Sequence, residues 1–307
     1  MLRRIADAAP GARLVEVGFD GAVSEPLEDV EVLLRGWLLG SDQLDRLVSR
    51  MPRLRWIHSI SVGVESVLTP IVRARGLVVT NGRDVFSRPI AEYVLTMILS
   101  TCRRLPQLLD LAAERTWQPL EAREISETTI GLVGLGSINS EVARLLAPLG
   151  PRLVALRRSG RGSRVAGVEV LGDLHALPKL LAVSDFVVLG VPLTEETENM
   201  IDAAALSSMK PGAWLINVAR GGLVDELALV RALESGGLGG AILDAFRQEP
   251  LPVTSPLYRL RNCIVTPHTS WSSPAVVERS VGLFCENLRH YRNGEPLKYV
   301  VDQQAGY

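Results

Sequence analysis

Ile130-Gly131-Leu132-Val133-Gly134-Leu135-Gly136-Ser137-Ile138-Asn139-Ser140 is the stretch that decides the fold. A β-strand runs into two closely spaced glycines, and a helix expected over Glu141 to Leu146 follows at once. Residues without a Cβ let backbone N–H groups and the positive end of a helix approach a diphosphate, so Gly134, Gly136, Ser137 and Ile138 are candidate dinucleotide contacts. The two glycines also suit an ordinary strand-turn-helix corner. Asn139 stands where the usual fingerprint has its third glycine, and its side chain must be fitted where helix and strand pack tightly.

An acid that binds the adenosine ribose is expected about 20 residues further on, at the end of the next strand. That strand ends Leu156-Arg157-Arg158-Ser159-Gly160-Arg161, and no Asp or Glu occurs between Glu141 and Glu169. Guanidinium forks bind phosphate oxygens with paired hydrogen bonds, so Arg157, Arg158 and Arg161, with the Ser159 hydroxyl, suit a ribose 2′-phosphate. A solvated basic loop is the plainer alternative.

Outward from this segment, strand candidates at Thr129 to Val133, Leu153 to Leu156, Phe186 to Leu189, Trp214 to Val218, Ala241 to Leu243 and Cys263 to Thr266 alternate with helical stretches, which predicts a parallel doubly wound sheet. Upstream, Arg13 to Val17, Val30 to Leu34, Leu54 to Ile57 and Leu77 to Thr80 read as strands of a smaller β/α unit, with Ser41 capping its first helix. Ser87 caps a long linking helix whose apolar set is Ile90, Val94, Met97, Ile98 and Leu105, and Ala275 to Tyr291 reads as a closing helix that packs on the first unit.

At 307 residues the chain accommodates two cores. Its 47% hydrophobic and 22% charged composition is that of a compact protein, and 33 basic against 34 acidic residues leave no field to attract nucleic acid or an anionic membrane. A small molecule is therefore the expected partner. Cys102, Cys263 and Cys285 form no Cys-x-x-Cys pair and are odd in number, which suits buried thiols in a reducing compartment. Asp7 interrupts the stretch a signal peptide needs and no 18-residue apolar run occurs, so a cytoplasmic location is expected.

Three segments carry the chemistry: Asn217-Val-Ala-Arg-Gly-Gly, Asp244-Ala-Phe-Arg-Gln-Glu-Pro-Leu and Thr266-Pro-His-Thr-Ser-Trp. Each follows a predicted strand, and ligands of doubly wound sheets bind beyond the carboxyl ends of strands. Reduction of a 2-keto acid needs a cation for its carboxylate and carbonyl, and an acid to protonate the oxygen. Arg220 and His268 are the candidates. A carboxylate beside such a histidine fixes the ring and stabilises its charged form, a part suited to Glu249. His58, His175 and His290 lack comparable surroundings and are assigned to structure or solvent.

With these segments the chain resembles the D-isomer-specific 2-hydroxyacid dehydrogenase family, from about Leu54 to about Tyr291. Thr80-Asn81, Ile90-Ala-Glu-Tyr-Val, Val191-Pro-Leu-Thr-Glu-Glu-Thr and Met209-Lys-Pro-Gly-Ala-Trp-Leu-Ile-Asn-Val-Ala-Arg-Gly add to the likeness. The resemblance, glyoxylate/hydroxypyruvate reductase-like, implies a flavodoxin-like substrate domain over 1–84 and 274–307, a Rossmann cofactor domain over 85–273, a cleft between them, and a homodimer joined through the cofactor domain. It implies Arg220 as substrate anchor, Glu249 as orienting carboxylate and His268 as proton donor. Val191, Pro192, Thr197, Val218, Ala219, Asp244 and His268 become cofactor contacts by the same likeness. Ser61-Val-Gly-Val-Glu matches the first-domain loop whose N–H groups hold the substrate carboxylate, which marks Val62 and Gly63; Glu65 stands where aspartate is usual. Trp271 is a candidate pocket wall, or a packing tryptophan at the domain seam.

The expected activity is NAD(P)H-dependent reduction of a 2-keto acid, with NADP(H) preferred over NAD(H). The competing readings are a dinucleotide-sensing corepressor-like binding protein and a phosphite or formate dehydrogenase-like enzyme. No long disordered tail or basic DNA-contacting segment favours the former.

Overall fold

The computed structural model describes residues 1–18, 21–23, 25–158, 165–304 and 306. The chain divides into two compact units, Met1–Phe86 with Ser273–Tyr307, and Ser87–Ser272. No helix among the described residues is long and apolar enough to cross a membrane.

The first unit contains α1 (Leu2–Ala8), β1 (Val32–Arg35), α2 (Ser41–Ser49), β2 (Trp56–Ser59), α3 (Pro70–Ala74) and β3 (Val78–Thr80). Its three strands pair in parallel in the order β1-β2-β3. Side chains alternate across the sheet, as strand geometry requires. Leu33, Ile57 and Val79 lie in register and join a core with Leu44, Leu47 and Val48 of α2 and Val72 of α3. Val32, Leu34 and Trp56 point the other way, against Ile5 and Ala8 of α1 and Phe284, Cys285 and Leu288 of the closing helix, Pro274–Asn293. Burial of each such aliphatic or aromatic side chain contributes about 1.5–3 kcal/mol.

Two local expectations change here. Arg13 to Val17 is not a strand: Val17 makes one isolated antiparallel bridge with Val23, while Arg13 binds the Glu25 and Asp29 carboxylates and the Pro26 carbonyl. Apolar alternation needs a partner strand to become a ladder, and among the described residues none adjoins it. Gly40 rather than Ser41 occupies the cap of α2, and its N–H donates to Gln43 Oε1 at 3.0 Å.

The second unit holds α4 (Ser87–Cys102), α5 (Leu105–Ala113), β4 (Thr129–Val133), α6 (Ser137–Leu146), β5 (Arg152–Leu156), β6 (Val168–Gly172), α7 (Leu177–Val183), β7 (Phe186–Leu189), α8 (Ala203–Ser208), β8 (Trp214–Asn217), α9 (Glu226–Glu234), β9 (Gly240–Leu243) and β10 (Cys263–Val265). The closing helix of the first unit is then α10. All seven strands run parallel in the order β10-β9-β8-β7-β4-β5-β6. The chain steps outward from β4 to β6, returns, and steps outward from β7 to β10, so the order reverses between β4 and β7.

Val133, Leu156, Leu189 and Leu243 line one face over α7, α8 and α9, whereas the registered row Ala155, Leu132, Val188, Ile216 and Ile242 is fully buried on the other. Helix α4 packs along α6. The expected linking helix stops before Leu105, because Pro106 lacks an N–H and its ring clashes with the carbonyl four residues earlier. Arg104 turns the chain with φ +55° and α5 starts anew. Strand β6 was not anticipated; it is an edge strand with Glu169 and Val170 exposed, so it shows little apolar signal.

Candidate active site

The carboxyl ends of β4, β7, β8, β9 and β10 bring the motif residues of the second unit to one edge of its sheet. After β4 the chain turns at Gly134, whose φ of +85° lies in the region glycine tolerates best. Gly136 then caps α6, which begins at Ser137, four residues earlier than its pattern suggested. The first N–H groups of a ten-residue helix have no intrahelical acceptors. This donor set and the open Gly136 backbone fit a dinucleotide diphosphate.

Asn139 is completely buried at the fingerprint's third position. Its Nδ2 donates to the carbonyls of Gly134 at 2.7 Å, Val133 at 3.3 Å and Val188 at 3.4 Å. The side chain thus ties the glycine turn to the ends of β4 and β7 instead of forcing them apart.

Beyond β5, the Arg157 N–H donates to Gly172 O at 2.8 Å and Arg158 is exposed. Ser159 and Arg161 lie outside the described residues. Beyond β7, Val191 and Pro192 open a turn closed by Thr197, whose buried hydroxyl donates to Pro192 O at 2.7 Å and accepts from Thr194 N. Thr197 therefore shapes the loop. Val218 is buried and Ala219 partly exposed.

Arg220 follows β8, and Asn217 holds it: Nδ2 of Asn217 donates to Arg220 O at 2.9 Å while Oδ1 accepts from Ala219 N. The guanidinium Nη1 donates to Ala219 O at 2.8 Å. Only glycine fits next, since a Cβ on Gly221 would lie 1.9 Å from the Phe246 carbonyl carbon. Asn217 does not declare this part in the sequence; a buried amide at a strand end is the one signal it offers.

Glu249 divides its two oxygens. Oε1 accepts from the Phe246 N–H at 2.9 Å and Oε2 lies 2.8 Å from His268 Nδ1. An ionised carboxylate only accepts, so Nδ1 donates and Nε2 is the ring atom left for proton exchange. Both side chains are partly exposed.

Asp244, expected at the cofactor, is 1% exposed and its carboxylate is engaged in the histidine loop. Oδ1 accepts from the Thr266 hydroxyl at 2.6 Å and Thr269 N at 2.9 Å, and Oδ2 accepts from Ser270 N at 2.9 Å. Trp271, directly after this loop, is partly exposed.

In the first unit, Val62 and Gly63 follow β2. Their carbonyls turn inward, accepting from Asn81 Nδ2 at 2.9 Å and the Ser61 hydroxyl at 3.0 Å. Among the described residues neither N–H donates to a protein acceptor, the arrangement an anion cradle requires.

The chain matches the family described as D-isomer specific 2-hydroxyacid dehydrogenase, NAD binding domain, over residues 95–270. It is 34% identical over 291 residues to a glyoxylate reductase of Thermococcus gammatolerans, covering 92% of this chain and 85% of that one. A D-isomer specific 2-hydroxyacid dehydrogenase from Xanthobacter autotrophicus Py2, solved with NADPH and MES, superposes with a TM-score of 0.87 at 31% identity, covering 100% of this chain and 95% of the other. The NADPH-dependent glyoxylate/hydroxypyruvate reductase of Sinorhizobium meliloti, solved with NADP and sulfate, gives 0.86 at 28% identity, covering 100% and 97%.

Proposed function

The chain belongs to the D-isomer specific 2-hydroxyacid dehydrogenase family, and from that premise we propose that it is an NADPH-preferring reductase of small 2-keto acids of the glyoxylate and hydroxypyruvate class. The observation that carries this reading is the 2.8 Å contact of Glu249 with His268 Nδ1, at the same sheet edge as Arg220.

When bound, the nicotinamide cofactor supplies the hydride. Gly134, Gly136, Ser137 and Ile138 receive its diphosphate, and Arg157 and Arg158 receive the ribose phosphate. His268 Nε2 holds the proton that passes to the substrate carbonyl oxygen, and Glu249 keeps the ring in the tautomer that leaves this atom to react. Arg220 binds the substrate carboxylate and draws electron density from the carbonyl. In the first unit, the Val62 and Gly63 N–H groups are candidate donors for an anion.

We also infer a homodimer formed through the second unit. Helix α5 buries none of its own residues, presents Leu105, Leu108 and Leu109 to solvent, and is followed by a fully exposed Trp117. Unpartnered apolar surface of this kind suits a second copy. Sedimentation of Leu109→Glu with Trp117→Glu should show monomer where the native protein shows dimer. A cytoplasmic location agrees with these assignments.

The activity is tested with a panel of 2-keto acids and both reduced cofactors, following loss of nicotinamide absorbance. Turnover of glyoxylate or hydroxypyruvate supports the reading. Absence of turnover on every 2-keto acid, with cofactor binding intact, favours a binding protein instead.

A further inference from the structure

The loop that carries His268 is held in a conformation it would not choose alone. His268 has φ +49°, a left-handed backbone that is disfavoured for a non-glycine residue. Its N–H closes a tight turn onto Thr266 O at 3.0 Å, and the next two N–H groups, of Thr269 and Ser270, end on Asp244. The Asp244 carboxylate is therefore the fixed point of the loop.

A second chain of bonds reaches that fixed point from α4. Tyr93 places its hydroxyl 2.7 Å from Thr266 Oγ1, and Thr266 Oγ1 lies 2.6 Å from Asp244 Oδ1. Thr266 has one hydroxyl proton, and an ionised carboxylate can only accept it. Tyr93 must then donate to Thr266, which gives the chain one direction: Tyr93 to Thr266 to Asp244. Burial pushes the Tyr93 hydroxyl up to about 12, the bond to Thr266 opposing and the Asp244 charge assisting, so the donor keeps its proton through the physiological range.

We infer that Tyr93 is a positioning residue for His268, its hydroxyl locking Thr266 and Asp244 so that the following loop presents the imidazole in one geometry. The inference rests on the reading of His268 as proton donor. Tyr93 acts through the loop and not on the reacting atoms, so its loss lowers the fraction of enzyme in which Nε2 is correctly placed. That reduces kcat and leaves KM nearly constant.

The test is steady-state kinetics on the full-length Tyr93→Phe, Thr266→Val, Thr266→Ser and doubly substituted Tyr93→Phe/Thr266→Val proteins, with His268→Gln in the same assay and folding checked by circular dichroism. Small misplacements of a reacting group are costly, so Tyr93→Phe should lower kcat about 10-fold with KM within about twofold. Thr266→Val should do likewise, the double variant should be no worse than the poorer single one, and Thr266→Ser should recover most of the loss because it keeps the hydroxyl. Unchanged kcat in Tyr93→Phe beside an inactive His268→Gln overturns the inference, as do losses that multiply in the double variant. An active His268→Gln removes the underlying reading, and the inference with it.

Discussion

Asn139 and Gly190 are a matched pair: a Cβ on Gly190 would lie 2.4 Å from Asn139 Nδ2 and 2.7 Å from its Cγ. The space that a third fingerprint glycine ordinarily provides on α6 is supplied here at the end of β7. Asn139 uses it to bond three carbonyls around the glycine turn.

Gly190→Ala should therefore be destabilising in the native background by about 1–3 kcal/mol, the usual cost of overpacking a core. In an Asn139→Gly background the same substitution should cost less than half as much. Urea unfolding of the four proteins measures the coupling. Equal costs in both backgrounds would show that the two positions do not share space.

How legible the fold was depended on how local its causes are. The β4 strand, its glycine turn and β7 were readable because valine and leucine runs and the φ-permissive glycines act within a few residues. Arg13 to Val17 had the same apolar alternation and still made no strand, because a ladder depends on a distant partner. Pro106 did signal the break after α4, but the helical spacing of Leu105 hid it. At the site, the Arg220, Glu249 and His268 segments declared themselves by residue type after successive strands. The parts of Asn217, Asn139 and Thr197 did not, since each depends on which carbonyl a buried polar side chain meets.

The first unit should lose stability in mild acid through His58. This imidazole is fully buried against Trp56 and Phe284, bonds Thr80 Oγ1 through Nδ1 at 2.7 Å, and burial pushes its pKa down from 6.5 to about 4. The unfolded chain takes up the proton as pH falls through about 6.5, and the folded chain only near 4. The neutral ring's full contribution is present above 6.5 and is lost across that window, on the order of 3 kcal/mol. Urea unfolding at pH 7.5 and pH 4.5 should show a smaller difference for His58→Gln than for the native protein. Equal differences would mean that His58 does not govern the acid response.

Cofactor choice should depend on the arginines beyond β5. The native enzyme should favour NADPH over NADH in kcat/KM by about 10²-fold, given two charge-assisted phosphate contacts. Arg157→Ala with Arg158→Ala should remove most of that preference by weakening NADPH alone. A preference untouched by the double substitution would leave these residues as a solvated basic loop.

The central claim is that His268, oriented by Glu249, protonates the carbonyl oxygen of a 2-keto acid. Its most direct measurement is single-turnover oxidation of enzyme-bound NADPH by glyoxylate in native and His268→Gln protein, with NADPH affinity determined separately by fluorescence. The account predicts affinity within about twofold and a rate lower by about 10²-fold or more, as for loss of a general acid. A variant that binds NADPH normally and oxidises it at the native rate would contradict it.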